Sequence, residues 1–201
     1  MKRLHHLSGL LLSAFIGLHL LNHLSSIWGA DYHIALVDNL RYFYRNPIIE
    51  TLILAAVLIQ ISSGLRLFFS RKQFTHNRYQ RLQHWTGLYM AVFFLIHVGA
   101  VLVGRYILSL DANFYFGVAG LNTFPLNLFF VPYYGLAIMA FFGHVAAIHY
   151  QKMKRKVLGI SVRQQAHLIL CFGFLVTIIT LYGLTNGFAG VAIPEEYRLG
   201  F

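Results

Sequence analysis

The stretch HLSGLLLSAFIGLH at 6–19 returns, with two histidines, a glycine and a hydroxyl residue in the same places, as HWTGLYMAVFFLIH at 84–97. Each copy begins and ends with histidine and carries a hydroxyl residue and then glycine at its third and fourth positions. Both copies lie in apolar runs that are long enough for a bilayer, which takes about 20 apolar residues. Ionisable groups are costly in hydrocarbon, so they usually face the protein interior and serve a function. The repeat therefore indicates a membrane protein with a polar site between two of its spans.

Apolar runs of this length occur five times along the chain. The composition is 58% hydrophobic and 11% charged, against about 25% charged residues in ordinary globular proteins. This excludes a soluble globular protein, and a lipid-exposed backbone must satisfy its own hydrogen bonds by forming helices. The sequence predicts an all-α integral membrane protein of one domain, 1–201, with helices 1 to 4 forming a bundle and a peripheral fifth helix. The predicted spans are 7–28, 48–70, 82–104, 127–149 and 166–189.

The charges are divided between the two ends of the predicted spans. Basic residues cluster before helix 1 and in the connections between helices 2 and 3 and between helices 4 and 5: Lys2, Arg3, Arg71, Lys72, Arg78, Arg81, Lys152, Lys154, Arg155, Lys156 and Arg163. All six acidic residues belong to the other end: Asp31, Asp38, Glu50, Asp111, Glu195 and Glu196. The positive-inside rule then predicts a cytoplasmic N-terminus and an external C-terminus. The net charge of +10 is explained by this asymmetry, with anionic lipid or a docked protein as the partner and not nucleic acid.

The two inner histidines of the repeat are placed at equal depth. His19 lies ten residues after Gly9, and His97 lies ten residues after Gly87. At 1.5 Å per residue, each histidine is about 15 Å above its glycine on helices that run in the same direction. Two imidazoles that face one another across a bundle suit a haem iron, which takes two axial ligands. We therefore expect one haem b between His19 and His97, with the glycines giving room to the macrocycle or to a neighbouring helix.

Three motifs resemble those of a known family: RLHHLSG at 3–9, QRLQHWTG at 80–87 and YYGLAIMAFFGH at 133–144. With five helices in about 200 residues, the chain is similar to the membrane cytochrome b subunit of succinate dehydrogenases and fumarate reductases, in its single-polypeptide form. The resemblance implies a haem-binding anchor in the bacterial inner membrane. Such an anchor passes electrons between membrane quinone and a cytoplasmic flavoprotein and iron-sulphur pair. It also implies a quinone-reactive or non-catalytic subunit, so whether this chain is itself an enzyme stays open.

The family's ligands are carried over one residue at a time. His19 and His97 match the pair that holds the haem distal to the iron-sulphur subunit, and His144 matches the helix 4 ligand of a second haem. Gln60 stands where the family has the helix 2 histidine, so the second haem lacks one of its ligands. His144 therefore has three interpretations. It binds a second haem with another partner such as His84, it hydrogen-bonds a quinone, or it pairs with Gln60 or Ser62.

Other polar residues are candidate partners for haem propionates or quinone, although each also fits an interfacial charge or a helix-backbone hydrogen bond. These candidates are Ser8, Arg81, His84 and Arg105. Two other functions remain compatible with the sequence. One is a cytochrome b that works without dehydrogenase subunits, as a quinone or metal reductase. The other is a haem-free transporter or scaffold in which the histidines line a proton or metal path.

Overall fold

Helices make up nearly the whole protein. The computed structural model describes residues 2–70 and 77–198 and is 79% helical, with no β-strand in those ranges. Arg71 and Lys72, which belong to the predicted basic connection, lie outside the described residues. The α-helices are α1 (Lys2–Leu24), α2 (Ala30–Tyr44), α3 (Pro47–Ser70), α4 (Arg78–Tyr106), α5 (Phe114–Val118), α6 (Asn127–Lys152) and α7 (Val162–Leu184).

The expectation of a multi-pass membrane protein is confirmed. Within the described residues, five spans are long and apolar enough to cross a membrane: Arg3–Trp28, Pro47–Ser70, Arg78–Tyr106, Asn127–Lys152 and Val162–Leu184. The largest difference from the sequence prediction is in the last span, which ends at Leu184 and not near 189. The chain turns there because Asn186, Gly187 and Phe188 take positive φ angles, which a helix cannot contain.

The five spanning helices contact one another in a closed order. α1 packs on α3, α3 on α4, α4 on α6, α6 on α7, and α7 on α1. The prediction of a peripheral fifth helix is not confirmed, because α7 lies between α6 and α1 and has the largest buried share of the five spans. Gly173 allows this close approach, since a Cβ at that position would collide with the Cβ of Phe142 on α6.

A short helix that does not span the membrane covers one end of the bundle. α2 contacts α1, α3 and α5, and its buried residues, His33, Val37 and Arg41, recur every four positions. The sequence pattern predicts only a connection between the first two spans in this region, 29–47. We call this end, where α1 and α4 finish, the cap end. The opposite end, where α1 and α4 begin, is the basic end.

Candidate functional site: histidines beneath the cap

The structure brings His19 and His97 together from α1 and α4. Their ring centroids are 6.1 Å apart, with an angle of 64° between the ring planes. Both side chains are only partly buried. Each imidazole is flanked by the phenylalanine one turn earlier on its own helix: Phe15 stacks on His19 at 5.9 Å, and Phe93 stacks on His97 at 4.9 Å. Apolar rings therefore limit how far either imidazole can turn.

The separation of these two rings fits two ligands of one metal. An imidazole nitrogen lies about 2 Å from a metal that it binds, so two imidazoles on opposite sides of one ion have centroids about 6 Å apart. Among the described residues, no group of three or more His, Cys, Asp or Glu side chains could hold a metal ion. A haem iron needs only two protein ligands, because the macrocycle occupies its other positions. The distance between the two rings is thus compatible with two axial ligands of a haem iron.

A line of hydrogen bonds connects His19 with the cap. His19 Nε2 lies 3.1 Å from His23 Nε2, and His23 Nδ1 lies 3.4 Å from His33 Nε2 on α2. The amide Nδ2 of Asn22 lies 3.0 Å from the same His33 nitrogen. We call Asn22, His33, His23 and His19 the histidine chain.

The tautomer of His23 links its two bonds in the histidine chain. When His23 Nδ1 donates to His33 Nε2, its Nε2 accepts from His19 Nε2; in the other tautomer, His23 Nε2 donates and His19 Nε2 accepts. In either tautomer His23 occupies this nitrogen of His19. Metal binding through His19 Nε2 therefore requires the His23 ring to turn away.

The structure places His144 in a separate polar cluster near the basic end. Its Nδ1 lies 3.2 Å from Thr86 Oγ1 and 3.1 Å from the Gln83 carbonyl oxygen, both on α4. Gly87 makes room for this imidazole, because a Cβ there would lie 3.2 Å from His144 Cε1. His84, the partner suggested for a second haem, instead stacks on Phe68 at 3.9 Å.

One of the three interpretations of His144, pairing with Gln60 or Ser62, is not what the structure shows. The Gln60 amide donates to the His5 carbonyl oxygen on α1 at 3.0 Å, and the Ser62 hydroxyl donates to the Leu58 carbonyl oxygen of its own helix. Gln60 faces α1 because Gly9 leaves space for it: a Cβ on Gly9 would lie 2.5 Å from Gln60 Nε2. Both glycines of the repeat thus admit a polar side chain from a neighbouring helix.

The remaining candidate partners for haem propionates or quinone lie at opposite ends of the helix bundle. Ser8 is buried, and its hydroxyl donates to the Leu4 carbonyl oxygen at 2.8 Å, which is the helix-backbone alternative. Arg81 is exposed near the start of α4. Arg105, near the cap end of α4, forms an ion pair with Glu50. Ser8, Arg81 and His84 therefore share the end of the molecule that holds His144, and Arg105 shares the end that holds His19 and His97.

Sequence reasoning missed the buried polar residues that α2 contributes. His33 and Arg41 are 3% and 8% exposed, whereas hydropathy predicts only a connection at 29–47. Their four-residue spacing with Val37 was the available signal, since it marks one face of a helix. No family model, curated protein or solved structure matches the chain.

Proposed function

We propose that this protein is a membrane cytochrome b in which His19 and His97 bind one haem b between α1 and α4. The observation that carries the proposal is the close approach of the two imidazoles, whose centroids are 6.1 Å apart. Haem supplies reversible one-electron chemistry when it is bound, and the protein supplies ligands and surroundings. The proposal needs no third protein ligand.

The residues around the pair have separate tasks in this proposal. His19 and His97 each present a neutral imidazole nitrogen, and the stacked rings of Phe15 and Phe93 hold them in position. Tyr134 of α6 contacts His97 edge-on at 6.0 Å and closes another side of the site. His23 releases His19 and remains bonded to His33 within the histidine chain. Apolar rings on several sides keep water from the ligands.

The proposed role is electron transfer between membrane quinone and a cytoplasmic redox partner. By the resemblance of its motifs, that partner is a flavoprotein and iron-sulphur pair that oxidises succinate or reduces fumarate. The basic end faces the cytoplasm of a bacterial cell in this proposal, and its exposed side chains Lys154, Arg155 and Lys156 provide a docking surface. The C-terminus is then external.

We assign quinone, and not a second haem, to the cluster around His144. Thr86, Ser63 and His5 add further hydroxyl and imidazole groups in the same end of the bundle. A quinone has two carbonyl oxygens that such groups can bond, whereas Gln60 cannot supply the missing haem ligand. His144 Nδ1 donates to the Gln83 carbonyl oxygen, so the neutral ring offers Nε2 as an acceptor, and His144 is therefore proposed to accept a hydrogen bond from the hydroxyl of the reduced quinone.

Single substitutions of histidine test the ligand assignment. His19→Ala and His97→Ala should each remove haem, because one remaining imidazole cannot hold the low-spin iron. His144→Ala should keep it. His167→Ala is the matched control, since His167 is exposed on α7. The measurement is the haem-to-protein ratio of the purified protein from its pyridine haemochrome spectrum. Loss of haem from His144→Ala alone would contradict the assignment.

The same preparations separate the alternatives. A colourless protein with full zinc occupancy would favour the haem-free transporter or scaffold. A red protein that never co-purifies with a flavoprotein in mild detergent would favour a cytochrome b that works without dehydrogenase subunits.

A further inference from the structure

The connection between α6 and α7 forms a short hairpin with an exposed apolar tip. The backbones of Val157 and Ile160 pair in both directions, with N···O distances of 3.3 and 2.9 Å. Leu158 and Gly159 form the turn between them, both at positive φ. The Leu158 side chain is 94% exposed, and Val157 beside it is 45% exposed. The hairpin thus presents apolar side chains away from the rest of the protein.

Two energetic costs meet at Leu158. Its φ is +50°, in the left-handed region that glycine and asparagine adopt more readily than leucine. Exposing a large apolar side chain to water is the second cost. The turn itself requires neither, because glycine or asparagine would form it with less strain. A leucine at this position therefore indicates an apolar partner outside the chain.

Gln165 holds the hairpin against the beginning of α7. Its Nε2 donates to the carbonyl oxygens of Ile160 at 2.9 Å and of Arg155 at 3.3 Å. Its Oε1 lies 2.8 Å from His149 Nε2 in the last turn of α6. Two residues of chain span at most about 7 Å, so Leu158 stays close to the level at which α7 begins.

This level coincides with the surface of a bilayer. The 23 residues of α7 make a helix about 35 Å long. The hydrocarbon core of a membrane is about 30 Å thick, with a polar headgroup layer of roughly 5–7 Å on each side. The first turn of α7 therefore lies in a headgroup layer, and the tip of the hairpin is within reach of that layer.

The charges around the tip are all positive. The segment 149–167 contains no Asp or Glu, and its basic side chains are exposed: Lys152, Lys154, Arg155, Lys156 and Arg163. Basic side chains beside apolar ones are typical of segments that bind the surface of an anionic bilayer. A bilayer is favoured over a socket on another protein because it already lies at the depth of the tip.

We propose that this hairpin binds anionic phospholipid. Leu158 and Val157 enter the membrane interface, and Lys156 and Arg163, which lie on the two sides of the turn, contact the lipid phosphates. The hairpin is then a lipid anchor beside the docking surface proposed above, which keeps Lys154 and Arg155. This inference does not depend on haem binding.

A fluorescent label beside the tip tests this inference. Val157→Cys in the Cys171→Ser background is labelled with bimane, and the protein is placed in nanodiscs of phosphatidylcholine with or without phosphatidylglycerol. Both kinds of disc contain a lipid with a nitroxide on its headgroup, which quenches bimane at the interface. The ratio of inserted to free label should rise on the order of 10-fold with phosphatidylglycerol, as expected for two basic residues at an anionic surface. High salt should reverse this rise.

Two variants separate the charged and apolar contributions. Lys156→Gln combined with Arg163→Gln should remove the response to phosphatidylglycerol. Leu158→Asn should reduce quenching in both kinds of disc. It should not lower the melting temperature in detergent, because asparagine takes the left-handed conformation more readily than leucine. An unchanged melting temperature then shows that the variant is folded.

A label at the cap end is the matched control. Phe188 is also an exposed apolar residue at positive φ, but the segment 184–194 around it contains no basic residue. Bimane on Phe188→Cys should therefore respond equally to both kinds of disc. Equal quenching at position 157 with and without phosphatidylglycerol overturns the inference. A label there that stays in water in both kinds of disc also overturns it and indicates a protein partner for Leu158.

Discussion

His33 is an ionisable side chain outside the spans that the fold holds in its neutral form. Burial, together with the nearby His19 and Arg41, lowers the pKa of His33 to about 4. Its other neighbours beneath the cap are His23, Asn22 and the ring of Phe114. Folding therefore keeps a proton off His33 that the unfolded chain, with a pKa of about 6.5, would bind in mildly acidic solution.

Because of His33, the free energy of unfolding should decrease as the pH is lowered. Between about pH 6.5 and about pH 4 the unfolded state binds more protons at this position than the folded state, so acidification favours unfolding. Lowering the pH from about 7 to about 5 should reduce the melting temperature of the wild type more than that of His33→Asn. Melting curves of both proteins in the same detergent measure the difference. Equal pH dependence in the two proteins would show that His33 is already accessible to protons.

At the scale of single residues, the sequence predicted that His19 and His97 lie close together, but it did not predict the partners of His144 and Gln60. The proximity of His19 and His97 follows from two equal offsets on helices of the same direction, which sequence spacing contains. The partners of His144 and Gln60 depend on how each helix is rotated about its own axis. That rotation is set by packing at Gly87 and Gly9, where neighbouring helices insert a polar side chain.

The interface between α6 and α7 depends on one glycine. A Cβ on Gly173 would collide with Cβ and Cγ of Phe142, atoms that cannot move without moving α6 itself. Gly173→Ala should therefore destabilise the protein by about 1–3 kcal/mol, the usual cost of overpacking. Gly135→Ala is the matched control in the same interface, because its Cβ would meet Leu181 and Thr177 at an ordinary 3.7 Å. Thermal unfolding of both variants measures the effect, and equal losses would contradict this description of the interface.

The helices α2 and α7 show why some predictions from the sequence failed. Hydropathy identified the five spans because length and apolar composition are local properties of the sequence. It did not identify α2, whose polar residues are buried only because α1, α3 and α5 cover them. The position of α7 was also missed, since a span that is apolar on every side carries no signal for which helices it joins.

At the scale of the whole molecule, the distribution of charge predicts how the protein lies in the membrane. Cys171 is the only cysteine, so Cys171→Ser gives a background for single labels at exposed positions. In intact bacterial cells, a membrane-impermeant maleimide should label Ala189→Cys at the cap end. It should label Lys154→Cys at the basic end only after the membrane is permeabilised. The reverse pattern would place the proposed docking surface outside the cell and contradict electron exchange with a cytoplasmic partner.

The two polar clusters give the molecule a direction along the membrane normal. The pair His19 and His97 lies toward the cap end, and the cluster around His144 lies toward the basic end. A haem in the first and a quinone in the second would occupy different depths of one bundle. Electrons could then pass between them within this single chain.

The central claim is that two imidazoles from α1 and α4 share one haem iron. The most direct measurement is the low-temperature electron paramagnetic resonance spectrum of the oxidised, purified protein, recorded together with its haem-to-protein ratio. We expect the spectrum of a single low-spin ferric haem with two imidazole ligands in each protein chain. We expect this signal to be lost in His97→Ala. Protein that folds in the membrane without haem, or whose haem signal survives in both His19→Ala and His97→Ala, would contradict it.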